Sequence, residues 1–430
     1  MKSLVLILLS LAAWSQQPLT LADAIRLGLD PRHRAALALA ESNRSRAELS
    51  ARQTRAAMLP SVDIRATGGE QTRNLATLGI GSLGTGPANL NPSFTSFDTR
   101  AAVNATLLDL SARKTHEAAR RDIARTADDL ESERHAVAAQ IARVYYDALR
   151  ANERIALLTA NLALSRELED AARIRLAAGT VTSVDLLRAR AQTASDNSAL
   201  TAAKFEAEKA ELTLRRWIGL PLEGELRLQR PATSDALPDN PAAIIPLAES
   251  HRPDLASQQK REQVAALRVT AARRKFLPTI SGSADYGPNG LTPANTANTR
   301  SLSLSLNIPV FDGGRRRADL SQAELALRDE ETRTRDLRRQ IHLDVILAHR
   351  SVTSARTRSD LTKAELDLAE QQLTQSRARL SAGLGLELDL ADAQTRLIRA
   401  RDSRDAASHQ LDLARLDLLI AAGQLQGLAQ

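Results

Sequence analysis

Two stretches of this chain, 93–178 and 315–382, contain neither glycine nor proline. Runs of that length without a breaker each hold a helix of about 70 residues, about 100 Å long at 1.5 Å per residue. Aromatic residues make up only 2% of the chain while Ala, Leu and Arg recur throughout, the composition of extended helices rather than of a compact core. Rods of this length must pack on elements of matching length.

The chain repeats its own plan. RLAAGTVTSVDLLRARAQ from Arg175 and RLSAGLGLELDLADAQ from Arg379 align at an offset of 204, which also superposes Leu176 on Leu380, Gly179 on Gly383, Asp185 on Asp389 and Ala189 on Ala393. A self-match at one fixed offset indicates internal duplication. Gly179 and Gly383 stand where C-cap glycines end a helix. Each is followed by a returning helix of about 36 residues, reaching Gly219 or Gly423.

Ahead of each long helix the periodicity changes. A helix over 20–58 opens on Thr20 with Asp23 in its first turn and stops at Leu59 and Pro60, after which SVDIRAT alternates apolar and polar residues as a strand does. Residues 74–92 read as a loop, before a second alternating strand over 98–108. The later half repeats this: helix from about Pro246, stop at Leu277 and Pro278, strand TISGSADYG, loop PNGLTPANTAN, strand SLSLSLNIPV. In that last strand Leu302, Leu304, Leu306 and Ile308 point one way and Ser301, Ser303, Ser305 and Asn307 the other. The chain thus divides into repeats over 16–220 and 246–430, with β-hairpins at 61–108 and 279–311 and tip turns near 179 and 383. A Pro-rich linker, 221–245, joins them. The helices before the hairpins have the length to stack end to end on the short returning ones, so each half makes two antiparallel rods and one hairpin.

MKSLVLILLSLAAWSQ carries Lys2, an apolar run from Leu4 to Ala13 and small residues at Ala13 and Ser15, the pattern of a secretory signal over 1–15. There is no cysteine, which excludes disulfides and thiolate metal sites. The net charge of +7 is spread through interleaved Arg and Asp/Glu, as in RELEDAARIR from Arg166; that pattern describes solvated or ion-paired helix faces, not a stripe for nucleic acid. His342 and His349 lack an HExxH motif, and Gly79, Gly81 and Gly84 spell GxGxxG outside any βαβ unit. With no nucleophile, base and oxyanion arrangement either, the sequence supports no enzyme, cofactor or metal site.

Strands of about ten residues with one apolar face suit the wall of a membrane β-barrel. Open strand edges cannot stand in lipid, and four strands are too few to close a barrel, so several copies must share one; three copies supply about twelve strands.

In order and in duplicate, these features resemble the TolC-type outer membrane factors. The resemblance is carried by the helix, strand, strand, long helix, turn, short helix pattern, by Leu-Pro at 59/60 and 277/278, by PVFDGGRRR from Pro309 and by the twin RLxxG turns. It implies a mainly α chain with a transmembrane β part: a homotrimer whose long antiparallel helices form an α-barrel across the periplasm and whose strands build a shared twelve-stranded β-barrel in outer membrane lipid. A periplasmic adaptor and an inner-membrane transporter are the implied partners, and the function is that of a passive exit duct for efflux or type I secretion, gated at its helix tips. Arg175, Leu176, Gly179, Thr180 and Val181, with Leu380, Gly383 and Leu384, correspond to tips that engage the adaptor. Asp389 and Asp392, spaced i, i+3 on one helix face, correspond to rings of carboxylates that constrict the pore and attract cations. Asp185 corresponds to a gate contact. Gly385 stands where the family carries the partner arginine, so the closing link here must be different or weaker. The triplet Arg315, Arg316 and Arg317 reads either as a lipid-phosphate contact or as solvated surface. The alternative class is a secreted coiled-coil structural or adhesion protein using the rods as spacers.

Overall fold

The computed structural model describes residues 18–72, 93–224, 226–231, 238, 240–382 and 384–425. The signal, the Gly79/Gly81/Gly84 loop and Gly383 lie outside these residues.

The two breaker-free stretches hold the longest elements. Helix α3 spans Leu110–Ala177 and α7 spans Arg315–Ser381, 68 and 67 residues respectively. On α3 the buried positions Val137, Ile141, Val144, Ala148 and, further on, Leu158, Leu162, Ser165 and Ala172 recur at spacings of three, four and seven, so one stripe faces partner helices. The returning helices are α4, Ser183–Ile218, and α8, Glu387–Ala421. Before the first hairpin lie α1, Leu21–Gly28, and α2, Ala35–Ala56; before the second lie α5, Pro241–His251, and α6, Pro253–Arg274. Two sequence expectations need correction here. The helix over 20–58 is broken at 29–34, where Pro31 follows Asp30. The second begins at Pro241 rather than Pro246: Asn240 accepts from the Ala242 N–H at 2.9 Å, and proline at the first helical position loses no bond.

The chain forms two compact units, one made of residues up to Ser42, Asp128–Ala256 and Arg335 onward, the other of Asn43–Ala127 and Ser257–Thr334. In the first unit both breaks are used as abutments. Gly219, with φ 74°, ends α4, and a Cβ there would overlap the His33 ring in the 29–34 break. Gly423, with φ 71°, follows α8, and a Cβ there would stand 3.0 Å from the His251 carbonyl carbon where α5 gives way to α6. Returning helix and preceding helix therefore meet end to end, as their lengths demand. The core at this level centres on Tyr145, fully buried among Ile25, Leu37, Ile141, Leu214 and Ile218. Its hydroxyl lies 2.7 Å from Leu19 O and 2.5 Å from Gln229 O, tying both flanking segments to α3, and burial pushes its pKa up to about 12.

In the second unit the strands β1 (Ser61–Thr72), β2 (Ser93–Leu108), β3 (Thr279–Thr292) and β4 (Asn295–Asn307) form one antiparallel sheet in the order β1-β2-β3-β4. The expected loop 288–298 is wrong. Pro288 and Gly290 pair with Asn298 and Thr296, and only Pro293 and Ala294 turn. Gly, Pro and Asn signal turns locally, but here the ladder overrides propensity. Alongside, α6 is zipped to α7 by Gln258 to Glu330 at 2.7 Å and Arg273 to Glu324 at 2.9 Å, and Lys275 just past its end reaches Asp319 at 3.0 Å.

Candidate functional site: the helix tips and the sheet faces

The first tip is built by backbone chemistry. The Gly179 N–H donates to Leu176 O and the Thr180 N–H to Arg175 O, both at 3.0 Å, the two bonds of a Schellman close, which needs a left-handed residue at the glycine. Gly179 has φ 74°, and a Cβ there would meet nothing; glycine serves conformation here, not space. Thr182 then caps α4. Its hydroxyl accepts from the Asp185 N–H at 3.4 Å, while the Asp185 carboxylate accepts from the Thr182 N–H at 3.0 Å and its hydroxyl at 2.7 Å. The Thr182 hydrogen bonds hold the Asp185 carboxyl below its ordinary pKa, and Arg188 stands 3.4 Å away. Asp185 is thus a helix cap first.

At the second tip the Leu384 N–H donates to Arg379 O at 2.9 Å, the counterpart of Thr180 to Arg175. Leu386 takes the place of Thr182 and offers no acceptor, so only half the box survives: Asp389 accepts from the Leu386 N–H at 3.4 Å. Asp389 and Asp392 are both exposed on one side of α8. They share a cleft of about 290 Å³ with Gln372, Gln375, Arg379 and Arg396, so the carboxylate pair is flanked by two guanidinium groups that spacing alone did not single out. A Cβ on Gly385 would stand 3.1 Å from Leu380 N and 3.3 Å from Arg379 Cβ, so this turn has no room to spare for an arginine. Sequence reasoning also missed the apolar surface of the tips: Ile174, Val184, Leu187, Leu386 and Leu388 are exposed with Leu384, itself 75% exposed.

The sheet separates its two faces by register. One row aligns Val62, Val103, Ala284 and Leu302; toward the helices follow Gly282 with Leu304 and Ile280 with Leu306. Val62, Leu302, Leu304 and Leu306 stand in solvent, Leu302 at 88% and Leu304 at 72% exposure, while Ile280 and Ala284 are partly covered. Beyond them the next row, Ile64, Ala101 and Tyr286, is closed at β4 by Arg300. The opposite face carries Ser61, Asn104, Ser283 and Ser303 in one row. There Arg100 on β2 reaches Asp285 on β3 at 2.7 Å and Asp98 at 2.7 Å, passing over the bare position of Gly287, where a Cβ would meet the Arg100 Cβ at 2.9 Å. Among the described residues β1 and β4 have no outer partner, and no helix is long and apolar enough to cross a membrane. Of the arginine triplet, Arg316 is turned inward, bonded to Asp312 at 2.8 Å and Pro309 O at 3.0 Å with Phe276 beneath it; only Arg315 and Arg317 remain exposed.

The sequence profile of the outer membrane efflux protein family matches residues 32–220 and 244–424. The chain belongs to that family. Outer membrane efflux protein BepC of Brucella suis is 25% identical over 289 residues, covering 66% of this chain and 63% of BepC. Pyoverdine export outer membrane protein OpmQ of Pseudomonas aeruginosa is 28% identical over 272 residues, covering 63% of this chain and 56% of OpmQ. The chain therefore spans about three fifths of the length of these relatives. The same fold is found in a crystal structure of a membrane protein from Pseudomonas aeruginosa, with TM-score 0.82 at 22% identity, covering 94% of this chain and 93% of that one. In this outer membrane efflux protein, then, the profile's two segments coincide with the two halves that carry the paired tips.

Proposed function

We propose that this chain is the outer membrane exit duct of a tripartite efflux or type I secretion assembly. Three copies close their four-stranded sheets edge to edge into a twelve-stranded barrel in outer membrane lipid. Their long helices make the periplasmic tunnel, and the helix tips meet a periplasmic adaptor and, through it, an inner-membrane transporter. The observation that carries this reading is the sheet: an apolar face in open solvent, a polar opposite face and two unpaired edges are unstable in an isolated chain and become a closed wall when copies join in lipid. The exposed apolar tips, with Arg175, Leu176, Gly179, Thr180, Val181, Leu380, Gly383 and Leu384, form the adaptor surface. Asp389 and Asp392 supply six carboxylates to one narrow lumen, giving it a cation preference. Asp185 contributes at the gate through its capped helix end.

The test is conductance of purified, detergent-solubilised protein in a planar bilayer, before and after combined Asp389→Ala and Asp392→Ala. Cation-selective currents that enlarge and lose selectivity in the double variant are expected. Currents indifferent to both substitutions would remove the aspartates from the gate, and a folded preparation that never conducts would remove the channel.

A further inference from the structure

Within the first unit, an otherwise apolar stretch of the helical seam is interrupted by a cluster of buried polar side chains. On α4 the buried positions Leu200, Ala203, Ala207 and Leu214 continue a three-four repeat whose preceding member is Asp196, equally buried. The Asp196 carboxylate accepts from the Ser165 hydroxyl on α3 and from Gln192 Nε2 at 3.0 Å. Ser165 Oγ in turn accepts from Gln394 Nε2 on α8 at 2.8 Å. Ser165, Asp196 and Gln394 are all more than nine-tenths buried. One further rung joins the same helices, Arg401 Nη1 to Asn161 Oδ1 at 3.0 Å, while the Asn161 amide nitrogen is buried with no hydrogen-bond partner.

A carboxylate in a coiled-coil seam is a poor way to gain stability, because an apolar residue of similar volume does as well or better. Its best-attested use is to specify how helices meet. Here one of these bonds, Gln394 to Ser165, crosses between hairpins, while the Asp196 carboxylate holds Ser165 from within the α3-α4 hairpin. The α3-α4 pair has its own apolar seam, Leu158 and Leu162 against Leu200 and Ala203. Residues Ala369 and Leu373 of α7 pack against Leu390, Ala393 and Leu397 of α8. Between hairpins, Gln394 and Arg401 meet Ser165 and Asn161, and Leu164 and Leu168 of α3 lie against the α7-α8 cluster. Further along, Arg150 to Asp405 at 3.1 Å and Arg143 to Asp417 at 2.8 Å are more open to water and release one another with little loss. Hydrogen bonds can be exchanged for water where apolar contacts cannot. A cleft of about 380 Å³ lined by Leu168, Asp185, Leu388 and Ala391 reaches Gln192 and Gln394, so water has a route to them.

We propose that Ser165, Asp196 and Gln394 form a buried polar latch that holds the α7-α8 hairpin on the α3-α4 hairpin and so sets the resting width of the pore. This rests on the channel reading above. The latch does the work that the missing arginine at Gly385 leaves undone: closed, its bonds fix one register; parted, its groups and the unpartnered Asn161 amide take up water. The three are positioning residues, since none need touch cargo.

The experiment compares wild type, Ser165→Ala, Gln394→Ala, the double variant and Leu397→Ala as purified trimers, by bilayer conductance and by amide exchange over 386–401. Each latch variant is expected to raise resting conductance at least about threefold and exchange roughly tenfold, and the double variant to add little, because both singles break the same bond. Leu397→Ala opens a cavity in the neighbouring apolar seam and should lower thermal stability more than Ser165→Ala while leaving conductance unchanged. If Gln394→Ala fails to assemble, Ser165→Ala, which removes a single oxygen, carries the test. Latch variants that assemble with conductance and exchange at wild-type levels overturn the latch alone. No conductance from any version, wild type included, overturns the channel reading and the pore-setting role with it.

Discussion

The face assignment of the sheet gives the sharpest prediction, because adjacent residues on β4 should respond in opposite ways to the same substitution. Leu304 pairs with Gly282 and is flanked on its face by Leu302 and Leu306; Ser303 pairs with Ser283, and their hydroxyls lie 2.7 Å apart. An arginine on the lipid side of a membrane barrel costs about 2–4 kcal/mol near mid-depth, so Leu304→Arg should cost a three-copy barrel about 6–12 kcal/mol, since each copy carries the change. Ser303→Arg replaces a hydroxyl pair whose net contribution is about 1 kcal/mol and, on the proposed barrel, places the charge on the water-facing side. The assay is the fraction of protein recovered in washed outer membranes as detergent-extractable trimer. Leu304→Arg should fall to a small fraction of wild type and Ser303→Arg should stay near it. Equal recovery of the two, or the reverse order, would refute both the register argument and the membrane assignment drawn from it.

Other consequences can be measured on the same preparations. Gly219→Ala should destabilise by more than the about 1–2 kcal/mol of a left-handed alanine, because its Cβ overlaps His33; adding His33→Ala should recover only the steric part, read as the thermal midpoint of the purified protein. Arg215 is buried and bonded to Glu211 at 2.8 Å, Pro221 O at 3.0 Å, Glu223 O at 3.1 Å and Gly224 O at 2.7 Å. A lysine cannot reproduce that fork, so Arg215→Lys should lower stability by about 2–4 kcal/mol and speed amide exchange at 220–224. Asp185 has its folded pKa depressed, chiefly by Thr182, so its contribution is complete above the unfolded carboxyl pKa of about 3.9 and is lost as pH falls through the lower folded value. Protection of the α4 amides at 184–187 should therefore hold from neutrality down to about pH 4 and decline below it, whereas Asp185→Asn should show reduced protection with no such pH step.

Much of this architecture is legible in the chain because its signals are short-range. The absence of Gly and Pro over 93–178 and 315–382 leaves room for two long helices, since no breaker interrupts propagation, and the alternation over 98–108 marks the part of the first stretch that pairs as strand instead. Gly179 announces its own left-handed turn, and the alternation in SLSLSLNIPV already sorts leucine from serine across the pleat. What the sequence could not decide depends on residues far apart in the chain. Gly, Pro and Asn in 288–298 look like loop until β4 pairs with them. Arg316 looks like one of three equivalent surface cations until Asp312, the Pro309 carbonyl and Phe276 enclose it. Asp196 reads as one more polar residue on a charged helix, and only the packing of α3 and α8 around α4 turns it into a buried carboxylate held by Ser165 and Gln192. Helix propensity and alternation are properties of a few neighbouring residues; burial and hydrogen-bond partnership are properties of which helix lies opposite, and that is settled only when the hairpins come together.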